Sequence, residues 1–171
     1  LRLYSVDQAE GWRNLGDSPN LLLQKTPADK FTVTAKMRFI PNPQLKGKGE
    51  SCGFVLMGQD YAAVKMTDTE EGVILQYVEC EDALKGKQEE TIVDIPVSSE
   101  ALPAPYSNSY MSTTVPQVSP IAYRASDMYV RMKVEPKERK GNVPDLTARF
   151  WYSTDGRKWT ELTEKPFIGK P

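Results

Sequence analysis

The stretch that decides the fold is Phe31-Thr32-Val33-Thr34-Ala35-Lys36-Met37-Arg38-Phe39, in which apolar and polar residues alternate throughout. Successive side chains of a β-strand point to opposite faces of a sheet, so this alternation predicts a strand with one face in a core. The apolar positions from Phe31 to Phe39 should face inward, and the polar positions from Thr32 to Arg38 should face outward.

The same alternation recurs along the chain. It predicts further strands at residues 52–57, 61–66, 73–80, 91–97, 128–134, 146–152 and 158–162, with shorter strands at 1–4 and 21–25. Gly and Pro residues separate these segments, and no long segment has helical periodicity. Many short strands divided by turns predict an all-β protein, an antiparallel β-sandwich or jelly roll.

Two tryptophans flank a turn in the last of these segments. The dipeptide Asp155-Gly156 is typical of a type I′ turn, which requires positive φ values. Trp151 and Trp159 lie on either side of it, and large aromatic residues favour strands and bury much area. We interpret this segment as a hairpin with a structural role.

One segment interrupts the alternation. Residues 98–127 are rich in Pro, Ser and Thr and contain Tyr106, Tyr110 and Tyr123. So long a loop is unusual in a compact domain, and its tyrosines either stack on a ligand or fix the loop to the sandwich. We interpret residues 98–127 as an insertion loop within a single β-sandwich module that spans residues 1–171.

Composition excludes several classes of function. The 22 Lys and Arg residues balance 23 Asp and Glu residues, so no strong field attracts nucleic acid or an anionic membrane. No apolar run approaches the roughly 20 residues that span a bilayer. The chain has no histidine, which removes the usual general base and the Ser/His and Cys/His nucleophile pairs. Because the chain opens at Leu1, we also interpret it as a fragment of a longer protein.

Two cysteines, Cys52 and Cys80, are too few for a disulfide framework or a zinc site made of cysteines alone. They can form one bridge if their strands are neighbours. Free, buried thiols are the interpretation we favour, and the cysteine count leaves the redox compartment open.

Carboxylates are the groups on which glycoside hydrolysis depends, and several fall near strand ends. These are Asp60, Glu79, Glu81, Asp82 and Asp94. Acidic residues at strand ends usually serve turns and solvation, so we predict no catalytic residue in this chain. A second group could supply oxygen ligands to a structural calcium ion, and its members are Asp7, Asp17, Asp68 and Asp145.

Five segments taken in order carry a family resemblance. They are Leu1-Arg2-Leu3; residues 21–25 leading to 31–34; residues 54–62; Tyr129-Val130-Arg131-Met132-Lys133-Val134; and residues 150–159, which include Ser153-Thr154-Asp155-Gly156. In their order and spacing they resemble the C-terminal β-sandwich of family 43 glycoside hydrolases. These are the β-xylosidases and α-arabinofuranosidases that act on plant hemicellulose.

The resemblance implies a concanavalin-like jelly roll that follows a catalytic β-propeller in the same chain. The catalytic carboxylates would then lie on the propeller, and the protein would be secreted or periplasmic. Relatives continue beyond Pro171, so the resemblance also implies that this sandwich lacks its last strands. An exposed sheet edge would result.

Outward-facing polar and aromatic residues suggest where such a module would make contact. Those that could share one polar sheet face are Gln24, Lys36, Arg38, Tyr61, Lys65, Gln76, Tyr129 and Arg131. Aromatic rings stack on sugars while amides and charges bind hydroxyl groups, although such a face can also be merely solvated or dock on a partner domain.

The sequence therefore predicts a non-catalytic accessory module. It would pack against the propeller of a hemicellulose-degrading glycosidase and shape the rim of its active site. The alternative is an autonomous lectin-like module that binds an oligosaccharide. A freestanding jelly-roll glucan hydrolase is a third hypothesis, but the Glu-x-Asp-x-x-Glu run that it would need is absent from the sequence.

Overall fold

The computed structural model describes residues 1–8, 10–102, 122–137 and 145–170, and within them nearly all regular structure is β. The strands are β1 (Phe31–Phe39), β2 (Ser51–Leu56), β3 (Tyr61–Thr69), β4 (Gly72–Cys80), β5 (Glu90–Pro96), β6 (Glu100–Ala101), β7 (Arg124–Lys137), β8 (Asp145–Ser153), β9 (Thr160–Glu161) and β10 (Phe167–Gly169). The described helices are single 3₁₀ turns at Leu15–Asp17, Pro43–Leu45 and Ala83–Lys85. None of them is long and apolar enough to cross a membrane.

The strands form two antiparallel sheets. The β1 sheet has the order β1-β7-β8-β10, with β6 paired to the start of β7 and β9 paired to β8. The β3 sheet is a meander of consecutive strands in the order β2-β3-β4-β5. The prediction of an all-β, antiparallel, concanavalin-like sandwich is confirmed, whereas the absence of its last strands stays a prediction.

The inward positions of both sheets build one main core. Phe39, Val130 and Phe150 from the β1 sheet pack with Leu75 and Tyr77 from the β3 sheet, and all five are buried. The rings of Tyr77 and Phe150 meet across the core with centroids 5.3 Å apart. Burial alternates along β1 as predicted, with every polar residue on the outward side. Hydrophobic burial by both sheets therefore fixes which face of each strand is outward.

The predicted strands at 1–4 and 21–25 are wrong. Neither segment pairs with any described strand, and Leu3 and Leu22 are exposed. The run from Leu21 to Leu23 has no alternation, so nothing in it selects one buried face. What holds the N-terminal region to the sandwich is instead the turn around Leu15–Asp17, as described below.

The Pro-rich segment lies largely outside the described residues, which omit 103–121. At its two described ends the chain is paired: Glu100 lies opposite Ala125 and Ala101 lies opposite Arg124. Strand β7 accordingly begins at Arg124, before the predicted start at Met128.

The two cysteines are free thiols, as predicted. Cys52 packs against the main core, between the sheets. Cys80 packs with Tyr61 and Ala83 in a small cluster on the other side of the β3 sheet. Because the sheet separates them, no disulfide can join them without rearrangement. Burial raises the pKa of the Cys52 thiol to about 12, so this thiol stays protonated at neutral pH.

Candidate functional site

The outer face of the β1 sheet is the surface that carries the largest group of the predicted residues. Strand alternation and register place outward-pointing side chains from four strands on it. It comprises Thr32, Thr34, Lys36 and Arg38 of β1; Asp127, Tyr129, Arg131, Lys133 and Glu135 of β7; Arg149 and Trp151 of β8; and Glu161 of β9. Four of the eight predicted residues therefore share one face: Lys36, Arg38, Tyr129 and Arg131.

The centre of this face is a stack of Arg131 on Trp159. The Cζ atom of Arg131 lies 3.9 Å from the centroid of the Trp159 ring, within the range of a cation–π contact. Arg131 Nε also donates a hydrogen bond of 3.1 Å to Thr34 Oγ1 on the neighbouring strand. These two contacts fix the guanidinium from one face and one edge.

Tyr129 occupies the next outward position of β7, and two neighbours lie against its ring. The Lys36 ammonium lies 5.5 Å from the ring centroid. On the hairpin between β8 and β9, a Cβ atom at Gly156 would lie 3.2 Å from the ring. Glycine at position 156 thus allows the hairpin to approach the face closely, and its φ of +71° also favours glycine.

The hairpin that carries Trp159 is held by Asp155. Its carboxylate accepts hydrogen bonds from the backbone N–H groups of Arg157 and Lys158, both at 2.8 Å, and from the Ser153 hydroxyl. These donors lower the pKa of Asp155 to about 2. The predicted type I′ turn is wrong, because Gly156 has a positive φ and Asp155 does not. The loop between β8 and β9 is longer than a two-residue turn, and hydrogen bonds to the Asp155 carboxylate hold its conformation.

Ion pairs neutralise most of the charge on this face. Lys36 and Arg38 both contact Asp127, at 3.3 and 3.7 Å, and Arg38 also contacts Glu100. Lys133 pairs with Glu135 at 2.8 Å, and Arg149 pairs with Glu161. The ammonium groups of Lys133 and Lys30 lower the pKa of Glu135 to about 2. Arg131 is the cation of this face that has no carboxylate partner among the described residues.

Sequence reasoning assigned Trp151 and Trp159 a structural role and left them out of the site. A signal for Trp151 was present, since Ala148, Phe150 and Tyr152 define the inward positions of β8 and leave position 151 facing outward. Trp159 lies in no strand, and its contact with Arg131 depends on how the hairpin folds back. No alternation pattern reports such a contact.

Lys65 and Gln76 lie on the opposite surface of the molecule, the outer face of the β3 sheet. They are register partners on β3 and β4. Lys65 Nζ pairs with Glu89 at 2.6 Å, and Gln76 bonds to Thr67 and Asp94. The prediction that all eight residues share one face is therefore wrong, because alternation gives a side of a strand but not the sheet to which that strand belongs.

Tyr61 lies at one end of that second face, where it is completely buried. Its hydroxyl donates a hydrogen bond of 2.7 Å to Glu89 and accepts one of 3.0 Å from the Leu15 N–H. Burial raises the pKa of the Tyr61 hydroxyl above its ordinary value, and Glu89 raises it further. Tyr61 therefore anchors the N-terminal turn and cannot stack on a ligand.

Asn14 completes the anchoring of that turn. Its side-chain amide donates hydrogen bonds of 2.9 and 2.7 Å to the carbonyl oxygens of Ala83 and Lys87, and its oxygen accepts one from the Gly16 N–H. Gln24, the remaining predicted residue, lies in the exposed segment that follows. It belongs to neither sheet face.

The acidic residues at strand ends have structural contacts. Asp60 is buried and accepts the backbone N–H groups of Asp82 and Lys170. Glu79 accepts the Tyr77 hydroxyl, and Asp94 accepts Gln76. Beside Asp60, a recess lined by residues of both sheets encloses a volume of about 10 Å³, room for one water molecule rather than a sugar.

Two of the four acidic residues considered for calcium, Asp17 and Asp68, have other partners among the described residues. Asp17 is bound by Arg13 through two side-chain contacts, and Asp68 accepts the Gly47 N–H. Among the residues that the structure describes, no three metal-ligating side chains are grouped closely enough to hold an ion. A structural calcium ion stays a prediction.

The architecture defines a class: a β-sandwich module of two antiparallel sheets with a charged and aromatic outer face on one of them. The family model described as the beta xylosidase C-terminal concanavalin A-like domain matches residues 1–167, and the chain belongs to this family. The family is a non-catalytic part of family 43 glycoside hydrolases, and it implies a catalytic domain in the same chain. No curated protein and no solved structure matches the chain.

Proposed function

We propose that this domain packs against the catalytic propeller of its parent enzyme and shapes the rim of the active site. The parent would be a glycosidase of β-xylosidase or α-arabinofuranosidase type that acts on plant hemicellulose. The observation that carries the proposal is the family match over residues 1–167. Consistent with an accessory role, Asp60, Glu79 and Asp94 near its strand ends accept hydrogen bonds from backbone N–H groups and neighbouring side chains.

The test compares the catalytic domain of the parent enzyme alone with the same domain after this chain is added. Hydrolysis of 4-nitrophenyl β-D-xyloside and of the α-L-arabinofuranoside reports activity, and analytical ultracentrifugation reports association. We expect the two parts to associate and kcat/KM to rise, while this chain alone hydrolyses neither substrate. A catalytic domain that is fully active alone and does not bind this chain would contradict the proposal.

The same parent protein tests the expected location. The resemblance to secreted and periplasmic enzymes leads us to expect the parent outside the cytoplasm. Detection of the full-length protein in culture medium or periplasmic fractions, against a cytoplasmic marker, checks this expectation. Confinement to the cytoplasmic fraction would contradict it.

Carbohydrate binding by the domain itself is a second candidate function. It is favoured by Tyr129, Trp151 and Trp159, three partly exposed aromatic residues at the outer face of the β1 sheet. Binding to the folded state must raise the melting temperature. Thermal unfolding of this chain with and without millimolar xylo- and arabino-oligosaccharides measures that shift, and no shift with any sugar would leave only the accessory role.

A further inference from the structure

Arg131, on the outer face of the β1 sheet, has a charge that no carboxylate among the described residues neutralises. The other cations assigned to this face, Lys36, Arg38, Lys133 and Arg149, each contact a carboxylate. Arg131 has only the Thr34 hydroxyl and the Trp159 ring among the described residues. Arg131 therefore retains its positive charge without a carboxylate partner among the described residues.

The contacts of Arg131 orient its guanidinium for binding. Thr34 accepts from Nε, which leaves the two terminal amino groups without an acceptor among the described residues. Contact of its Cζ atom with the Trp159 ring, 3.9 Å from the ring centroid, further restricts the movement of the group. A planar guanidinium with free N–H groups binds a carboxylate through two parallel hydrogen bonds, and holding it in place beforehand reduces the entropy lost on binding.

Tryptophan side chains add a surface suited to a sugar ring. Trp151 lies opposite Arg131 in the register of β7 and β8, points outward and is partly exposed. The indole N–H groups of Trp151 and Trp159 donate to no acceptor within the described part of the chain. Aromatic faces pack against the apolar side of a ring while indole N–H groups donate to oxygens. Thr34 adds a hydroxyl at the same level of the sheet.

We propose that this surface binds an oligosaccharide that carries a carboxylate, such as a uronic acid unit. The carboxylate bonds to Arg131, and the adjoining sugar ring packs beside Trp151. A single acidic sugar matches the surroundings of Arg131 better than a multiply charged segment does, because Lys36, Arg38, Lys133 and Arg149 already contact carboxylates. The inference rests on the second candidate function, carbohydrate binding, and names its ligand; it does not depend on packing against a catalytic domain.

The test titrates this chain with two probes of equal size. One is xylotriose bearing a glucuronic acid branch, and the other is unbranched xylotetraose. Tryptophan fluorescence and isothermal titration calorimetry report binding, and sodium acetate at the same concentration controls for the carboxylate alone. We expect the acidic probe to bind, to weaken as salt is raised, and to bind more tightly than the neutral probe and acetate.

Variants of Arg131 assign the binding to this residue. Arg131→Gln should weaken binding of the acidic probe by about tenfold or more, the loss typical of a charge-assisted pair. Arg131→Lys keeps the charge but lacks the fork, so it should bind with intermediate affinity. Lys48→Gln removes one positive charge from the turn before β2 and should leave affinity unchanged. Circular dichroism and thermal unfolding confirm that each variant is folded.

The outcomes separate this inference from both candidate functions. Equal binding of acidic and neutral probes would leave carbohydrate binding standing and overturn the role of Arg131. Equal affinity in wild type and Arg131→Gln would also overturn it. If neither probe binds but Arg131→Gln weakens association with the catalytic domain, the surface docks a protein carboxylate, and the saccharide proposal is wrong.

Discussion

Replacement of Asn14 tests how the N-terminal turn is attached to the β3 sheet. The Asn14 side chain makes three hydrogen bonds: it donates to the carbonyl oxygens of Ala83 and Lys87 and accepts from the Gly16 N–H. Each such bond contributes about 0.5–1.5 kcal/mol net, so Asn14→Ala should cost about 3 kcal/mol. For a domain of this size that corresponds to a fall in melting temperature of about 6–12 °C.

Asn14→Asp sharpens the experiment because it keeps the shape of the side chain. At pH 7 a carboxylate would face the carbonyl oxygens of Ala83 and Lys87, so the loss of two donors is joined by repulsion. The pKa of the introduced carboxyl should therefore rise above its unfolded value of about 3.9. Because the protonated form regains one donor, the penalty should be largest near neutral pH and shrink on acidification.

The assay is thermal and urea unfolding of wild type and variants between pH 3 and pH 7. Asn20→Asp is the matched control, since Asn20 is exposed and makes one long contact, 3.4 Å, to Tyr4 O. We expect the control to unfold like the wild type at every pH. If Asn14→Ala and Asn14→Asp also unfold within a degree of the wild type, the turn does not clamp the sheet, and the reasoning fails.

Three further substitutions probe separate contacts. Tyr61→Phe should lower stability by about 1–3 kcal/mol in urea unfolding, because it leaves Glu89 and the Leu15 N–H without their shared partner; an unchanged midpoint would show that water replaces the hydroxyl. Gly53→Ala should also destabilise by about 1–3 kcal/mol, because its Cβ would lie 2.6 Å from Val64 O, whereas Ser51→Ala on the same strand should be neutral. Asp155→Asn should flatten the acid limb of thermal stability: the folded carboxyl has a pKa of about 2, so its contribution is present above about pH 4 and is lost as the pH falls toward 2. A variant that keeps the wild-type slope across that window would contradict this assignment.

The sequence predicted the strands best where alternation was strict. In β1 the five apolar residues face the core and the four polar residues face outward, as expected. The segment from Leu21 to Leu23 has no such pattern, and its predicted strand was wrong. Alternation arises where one face of a strand is buried and the other is exposed, so it predicts strands only where the chain has such a pattern.

The candidate site was predicted in part for a related reason. Lys36 and Lys65 both face outward, yet they lie on different sheets because strand order is set by long-range pairing. Tyr61 also points away from the main core, but the N-terminal turn buries it through contacts that are remote in sequence. Trp159 reaches Arg131 only because of the loop organised by Asp155. All three features depend on contacts between residues that are distant in the sequence, so the local pattern of residues cannot predict them.

The two sheets differ in how their strands are connected, and this difference bears on the order of folding. The β3 sheet is a meander from Ser51 to Pro96, so each pairing joins neighbours along the chain. The β1 sheet instead pairs β1 with β7, which requires the chain between Phe39 and Arg124 to close into a long loop. Closing such a loop costs entropy before any contact compensates for it, and non-local pairing slows folding. We therefore expect the meander to form early and the pairing of β1 with β7 to be the rate-limiting step of folding.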